Sequence, residues 1–233
     1  TLLAETNPQK VVDYAAREIA KSEQIQEQQE AILLLAKMNA PEARELLRNY
    51  SEKFGKGSEK REHLLLEFTE ALPGFEKSLP PYSASLEGGN EVAGEKVFNE
   101  HLAAQCIACH RVGKDGSEVG PPLSHIGKKG RDYIFESLIA PQAKITAGYG
   151  LISVNTQSGS SVSGALKEET PTSLTLILPD KTELTVKKAD IKTRTQPVSV
   201  MPPMGDILSP RELRDLIAYL MHPQQVALPD EKK

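Results

Sequence analysis

Cysteine is scarce in this sequence. Two cysteines in 233 residues exclude a disulfide framework of the kind that staples small exported domains. No apolar run is long enough to cross a bilayer. No block of lysine and arginine suited to nucleic acid interrupts a chain of net charge −4. The chain opens Thr1-Leu2-Leu3-Ala4-Glu5, with no initiator methionine and no signal segment. That start reads as a processed chain or a piece of a longer one, and it is silent on export. The remainder, 39% hydrophobic and 26% charged, suits one large soluble domain or two small ones.

Residues 1–72 read as α-helical. Asn7-Pro8 pairs a cap with a proline in the first turn, and Val12, Ala15 and Ile19 follow at helical spacing. Ser22 is placed to cap a second helix carrying Ile25, Ile32, Leu33 and Ala36. Asn39 precedes a third with Leu46, Leu47, Tyr50 and Phe54, and Ser58 a fourth with Leu64, Leu65, Phe68 and Leu72. Short connections make successive helices antiparallel neighbours. Two architectures fit: the end of a HEAT-like solenoid or a small bundle. Residues 73–90, rich in Pro, Gly and Ser, read as a linker. Asn90 is placed to cap a helix over 91–104, with Val97, Phe98, His101 and Leu102 on one face, that runs into Cys106.

A Gly-rich loop follows to Gly130, then a helix over about 132–140 that Pro141 ends. From Tyr149 the apolar period changes to two. Five short runs between about 149 and 196, separated by Ser158-Gly159, Thr170-Pro171 and Pro179-Asp180, predict an antiparallel meander curled into a small barrel or sandwich. Ser209-Pro210 then starts a helix with Leu213, Leu216, Ile217 and Leu220 on its apolar face, stopped by Pro223. Residues 223–233 read as a polar tail.

Both cysteines lie in Cys106-Ile107-Ala108-Cys109-His110. A thioredoxin-like dithiol sits at a helix start after a strand, and here a helix precedes it. A zinc site needs a second ligand pair, and His63, His101, His125 and His222 form no pair three to five residues apart. Haem c attachment needs only this pentapeptide: two thiols three positions apart reach two vinyl groups, and the next histidine falls over the iron. The proximal histidine also needs an acceptor for its other ring nitrogen. Gly120-Pro121-Pro122-Leu123 offers the Pro121 carbonyl, with Leu123 to pack on the haem face.

Taken in order, this pentapeptide, Gly120-Pro121-Pro122-Leu123, Met201-Pro202-Pro203 and Leu216-Ile217-Ala218-Tyr219-Leu220 resemble class I cytochromes c. The resemblance implies a cytochrome c domain over 91–222 holding one covalent haem c. Cys106 and Cys109 would be its attachment points, His110 the proximal ligand and Pro121 its acceptor. Met201 would be the sixth ligand, with Met204 as second choice. The family's crossing of first and last helices falls on Gly94, Phe98, Leu216 and Tyr219, and Phe98 joins the cofactor-binding set. A β insertion at about 149–196 is unlike a usual class I member. It is similar to haem domains at the C-terminal end of large planctomycete and verrucomicrobial proteins, which carry HEAT-like helices just before the haem module.

The function so implied is one-electron transfer, as a module of a larger exported or periplasmic protein. It would serve redox partner proteins or an upstream, dehydrogenase-like domain of the same chain. Nothing else in the sequence reads as catalytic. The alternative is a ligand-binding haem, a gas sensor or peroxidase-like site, whose sixth position the insertion leaves open or labile. His101 and His125 read as surface residues, Arg131 and Tyr149 as solvent or packing positions, and His222 as a residue suited to a helix C-terminus.

Overall fold

The computed structural model describes residues 7–38, 40–56, 59, 61–72 and 85–223. The expected caps Asn39 and Ser58, most of the expected linker and the tail after Pro223 lie outside the described residues. The chain forms two compact units: Thr1–Ala104 with Leu208–His222, and Gln105–Ile207 with Pro223–Lys233. Together they make a mixed fold of helices and one five-stranded antiparallel sheet.

In the first unit, α1 (Pro8–Lys21) starts with the Asn7 side chain accepting from the Lys10 amide at 3.2 Å. Its Val11, Val12, Ala15 and Ile19 face a core shared with α2 (Ile25–Lys37) and α3 (Pro41–Tyr50). Ser22 does not cap α2. Its hydroxyl accepts from the Gln24 amide at 3.0 Å and donates to Glu27, so α2 begins at Ile25. After α3 come a π turn (Ser51–Lys56), a 3₁₀ turn (Glu62–Leu64) and α4 (Leu65–Ala71). Phe54 stacks on Tyr50 with ring centroids 5.3 Å apart, and Arg61 lies over Phe54 while donating to the Ile19 carbonyl at the end of α1.

The same unit holds α5 (Glu91–Glu100) and α8 (Pro210–Met221). Asn90 caps α5 through the Ala93 amide, and Ser209 with Glu212 makes a capping box on α8. The two helices touch where Gly94 stands. A Cβ there would run into the Asp215 carbonyl, so only glycine lets the backbones approach this closely. Phe98 packs on Tyr219 with centroids 5.7 Å apart, and Leu216 is fully buried. Helix α4 joins α8 through charge: Arg214 donates to Glu67 at 2.5 Å, with side chains 3% and 0% exposed. Arg211 grips Glu70. Gln29 ties α2 to residues 85–89 through the Glu87 carbonyl and the Gly89 amide.

The helix expected over 91–104 ends at Glu100. Residues 103 and 104 give their amides to the His101 ring instead of continuing the helix.

In the second unit, α6 (Cys106–Cys109) is a single turn, followed by a small hairpin of β1 (Arg111–Val112) and β2 (Asp115–Gly116). A 3₁₀ turn (Ile126–Lys129) leads into α7 (Arg131–Ile139). The remaining strands are β3 (Leu151–Thr156), β4 (Ser161–Glu169), β5 (Ser173–Ile177), β6 (Glu183–Lys187) and β7 (Ile191–Arg194). They form one sheet in the order β6-β5-β4-β3-β7, so the sandwich expectation gives way to a single sheet with β6 and β7 as its edges. It is curled nonetheless. Val186 of β6 and Ile191 of β7 meet the same cluster as Ile152, Val154, Leu174 and Leu176. Register shifts at Asn155/Thr156 and Leu166/Glu168 supply the bend. The opposite face is stitched by hydroxyl pairs, Ser153 with Ser163 and Thr175 with Thr185.

Candidate functional site: the Cys106–His110 turn and its cradle

Gln105 enters the turn in the left-handed region at φ 46°, a conformation non-glycine residues adopt at a cost. One helical turn then sets Cys106 and Cys109 as free, half-buried thiols. The His110 amide closes the turn onto the Cys106 carbonyl at 2.8 Å. Burial pushes the Cys106 thiol up to about 11, which keeps it protonated at neutral pH.

The run after the hairpin folds back onto this turn. The Gly120 amide donates to the Cys109 carbonyl at 2.6 Å and the Leu123 amide to the Arg111 carbonyl at 2.8 Å. Ser124 accepts from the Gly113 amide. These bonds carry the Pro121 carbonyl to 2.8 Å from His110 Nδ1. A carbonyl only accepts, so Nδ1 holds the proton and Nε2 keeps its lone pair for a metal. Burial holds the imidazole below its usual value, outweighing the upward pull of the Pro121 carbonyl, and so favours the neutral ring. A Cβ at Gly120 would lie 2.7 Å from His110 Cε1 and 2.8 Å from Nδ1. The loop is therefore moulded to the imidazole.

Leu123 is half-buried in the same segment. Met201 and Met204 belong to the same unit, and their burial differs. Met201 is half-buried, while Met204 is 3% exposed and opens a 3₁₀ turn (Met204–Asp206). Gln142 clamps the segment before Met201 through both groups of its amide: its Nε2 donates to the Ser199 carbonyl at 2.9 Å, and its Oε1 accepts from the Ser199 amide at 3.0 Å. Phe98 belongs to the other unit, where Tyr219 is its ring partner. His125 is exposed. His101 is not the surface residue expected: its side chain is 22% exposed, and its ring accepts two backbone amides.

An open groove of about 1500 Å³ runs behind the cradle. Val119, Gly120 and Pro122 form one wall, and Leu151, Ser163 and Ala165 of the sheet form another. The insertion thus lies beside the loop that holds His110. Sequence reasoning missed Gln142, Ser124 and His101. Each acts through a hydrogen bond to backbone that no residue pattern announces.

The residues present fit a covalent haem: two thiols on one turn, a neutral imidazole whose Nε2 keeps its lone pair, and a glycine that gives the ring its place. Among the described residues no group of three or more His, Cys, Asp and Glu side chains could hold a bare metal ion. No curated protein matches the sequence. The family model described as Cytochrome c matches residues 92–224. That match covers more than half of the chain, which therefore belongs to the cytochrome c family, whose haem c is covalently bound and whose work is haem-based electron transfer.

Proposed function

We propose that the chain is a one-electron carrier in which Cys106 and Cys109 hold haem c, His110 binds the iron through Nε2, and Met201 takes the sixth position. The observation that carries this reading is the 2.8 Å bond from His110 Nδ1 to the Pro121 carbonyl, which leaves Nε2 as the only coordinating nitrogen. Bound haem with two strong axial ligands supplies a one-electron couple that needs little rearrangement. The protein residues do the rest. Pro121 fixes the tautomer and raises the basicity of the ligating nitrogen. Gly120 admits the ring, and Leu123 adds an apolar wall. Met201 favours the reduced state through its thioether. The burial of Met204 supports Met201 as the ligand, because the Met204 side chain is already committed to packing.

In this reading the β insertion shields the loop on the His110 side, and α1–α4 are HEAT-like helices ahead of the haem module, as in the proteins this chain resembles. The module then belongs to a larger exported or periplasmic protein and passes electrons to redox partners. Among the described residues no helix is long and apolar enough to cross a membrane.

Visible spectra of the haem-loaded protein, oxidised and reduced, with and without carbon monoxide, test the ligation. The expected result is a low-spin ferric form with the weak red band of sulfur ligation, and a reduced form unchanged by carbon monoxide. Met201→Ala should abolish that band and Met204→Ala should keep it. A high-spin ferric form, or prompt carbon monoxide binding by the unmodified protein, would sink the carrier reading. Loss of the band only in Met204→Ala would move the ligand to Met204.

A further inference from the structure

Between α5 and Cys106 the chain reads His101-Leu102-Ala103-Ala104-Gln105. None of these is Gly, Pro, Asn, Asp or Ser, the residues that ordinarily make turns. Leu, Ala and Gln are good helix formers, so by propensity α5 should run on into the cysteines. It stops at Glu100. A continued helix would give the amides of residues 103 and 104 to the carbonyls of residues 99 and 100. Instead His101 Nδ1 accepts from Ala103 at 3.3 Å and Ala104 at 3.0 Å. An atom that accepts from two N–H donors carries no proton, so the ring is neutral with its proton on Nε2. That edge lies 3.6 Å from Glu212 Oε1, and the other oxygen of Glu212 accepts from the Ser209 amide in the capping box of α8.

We infer that His101 is a positioning residue. Its ring is the stop signal that ends α5, and it holds residues 101–104 in the turn that leads into Cys106 and Cys109, so that the attachment segment is not drawn into the helix. The attachment role rests on the reading of those cysteines given above; the stop signal does not. Without the ring acceptor, the run 101–104 falls back into helix. Each residue added to the helix is taken from the turn before Cys106, which is then lost.

The test compares His101→Leu with His101→Asn, whose short side-chain carbonyl can accept the same amides. In His101→Leu, backbone chemical shifts of residues 101–104 should turn helical, and the haem-bound fraction of purified chain, read by intact mass, should fall about fivefold, the size expected from losing one side-chain cap. His101→Asn should restore the turn and most of the loading. Full loading of His101→Leu with unchanged shifts would overturn the proposal. So would Asn behaving like Leu. If the Leu variant does not accumulate, ¹⁵N spectra of the His101 ring in the unmodified protein decide: protonated Nε2 and acceptor Nδ1 are expected, and the reverse tautomer overturns it. An unmodified protein with no haem on Cys106 and Cys109 would remove the attachment role, while the chemical shifts would still report on the stop signal.

Discussion

The His110 Nδ1 atom and the Pro121 carbonyl oxygen lie 2.8 Å apart, eleven residues from one another, and the loop between them leaves no room for a methyl group at Gly120. The ring and the loop fit as one piece. Gly120→Ala should therefore push the imidazole off its acceptor, because the added carbon would meet two ring atoms inside 3 Å. The expected outcome is a mixed-spin or carbon-monoxide-binding haem protein in visible spectra. Gly159→Ala is the control. That glycine has φ +88° and nothing within 4 Å of an added Cβ, so its substitution carries only backbone strain of about 1–2 kcal/mol. It should leave the spectrum untouched. An unchanged spectrum in Gly120→Ala would refute the moulded-loop account.

Glu67 and Arg214 form the most buried ion pair described, within a network that includes Arg211, 3.8 Å from Glu67, and Asp215, 3.7 Å from Arg214 Nε. Burial raises the Glu67 carboxyl despite the guanidinium beside it. Removing Glu67 leaves the buried Arg214 with only its longer contact to Asp215, so Glu67→Met should lower stability by about 3 kcal/mol. Replacing both, Glu67→Met with Arg214→Met, should recover part of that loss, since the two apolar side chains need no pairing while Asp215 loses Arg214 but keeps its bond from the Asn90 amide. Chemical denaturation of the haem-loaded chain measures both. A double variant as unstable as the single one would mean that the pair itself is net stabilising.

What was legible in the sequence follows from how each feature is encoded. Period-two runs between 151 and 194 placed all five strands, because the alternation is imposed by burying one face: Ile152 and Val154, then Leu174 and Leu176, point the same way. The α8 boundaries were readable because Ser209-Pro210 and Glu212 act on their own helix. The site proposed at Cys106, Cys109 and His110 rests on a fixed local spacing, and the structure sets the two thiols on one helical turn with His110 directly after it. The illegible features act across the chain. Gln142 finds Ser199 fifty-seven residues away. Gln29 and Glu67 look like solvent-facing polar residues on amphipathic helices, yet they are 2% and 0% exposed, because other segments cover them. The end of α5 was missed because a ring nitrogen, not a turn residue, supplies the stop.

Glu169 sits at the end of β4 and reaches Lys188 at 2.7 Å and Arg194 at 2.9 Å, joining β4 to the turn after β6 and to β7. Hydrogen bonds from those two cations lower its carboxyl from 4.5 to about 2. A depressed folded-state value means that the pairs stabilise the sheet above the unfolded value, near 4.5, and that this contribution is lost as the pH falls through about 2. Glu169→Gln should therefore weaken the sheet slightly above about 4.5, where the parent's pairs are intact, and flatten its acid sensitivity between about 4.5 and 2, so that variant and parent converge at the acid end. The measurement is the pH dependence of amide signals from β4 and β7. Identical acid profiles in variant and parent would show that exposed screening cancels the pairs.

The segment before Met201 is held by one side chain. Gln142 makes both of its amide bonds to the Ser199 backbone, and the Met201 amide in turn donates to Ser199 Oγ at 3.2 Å. Gln142 is exposed, so Gln142→Ala should cost little global stability, about 1 kcal/mol for two solvent-accessible hydrogen bonds. Its effect should fall on the sixth ligand instead. A loosened Ser199 lets Met201 leave the iron more often, so the reduced protein should bind carbon monoxide faster than its parent while its melting temperature falls by only about 2–4 °C. Gln142→Glu gives a sharper contrast: one oxygen still accepts from the Ser199 amide, but the donor to the Ser199 carbonyl is gone, and its carbon monoxide binding should fall between the two. If Gln142→Ala binds carbon monoxide no faster while Met201→Ala does, the ligand assignment stands and the clamp does not. If neither variant binds it, the sixth ligand lies elsewhere, and Met204 becomes the residue to substitute.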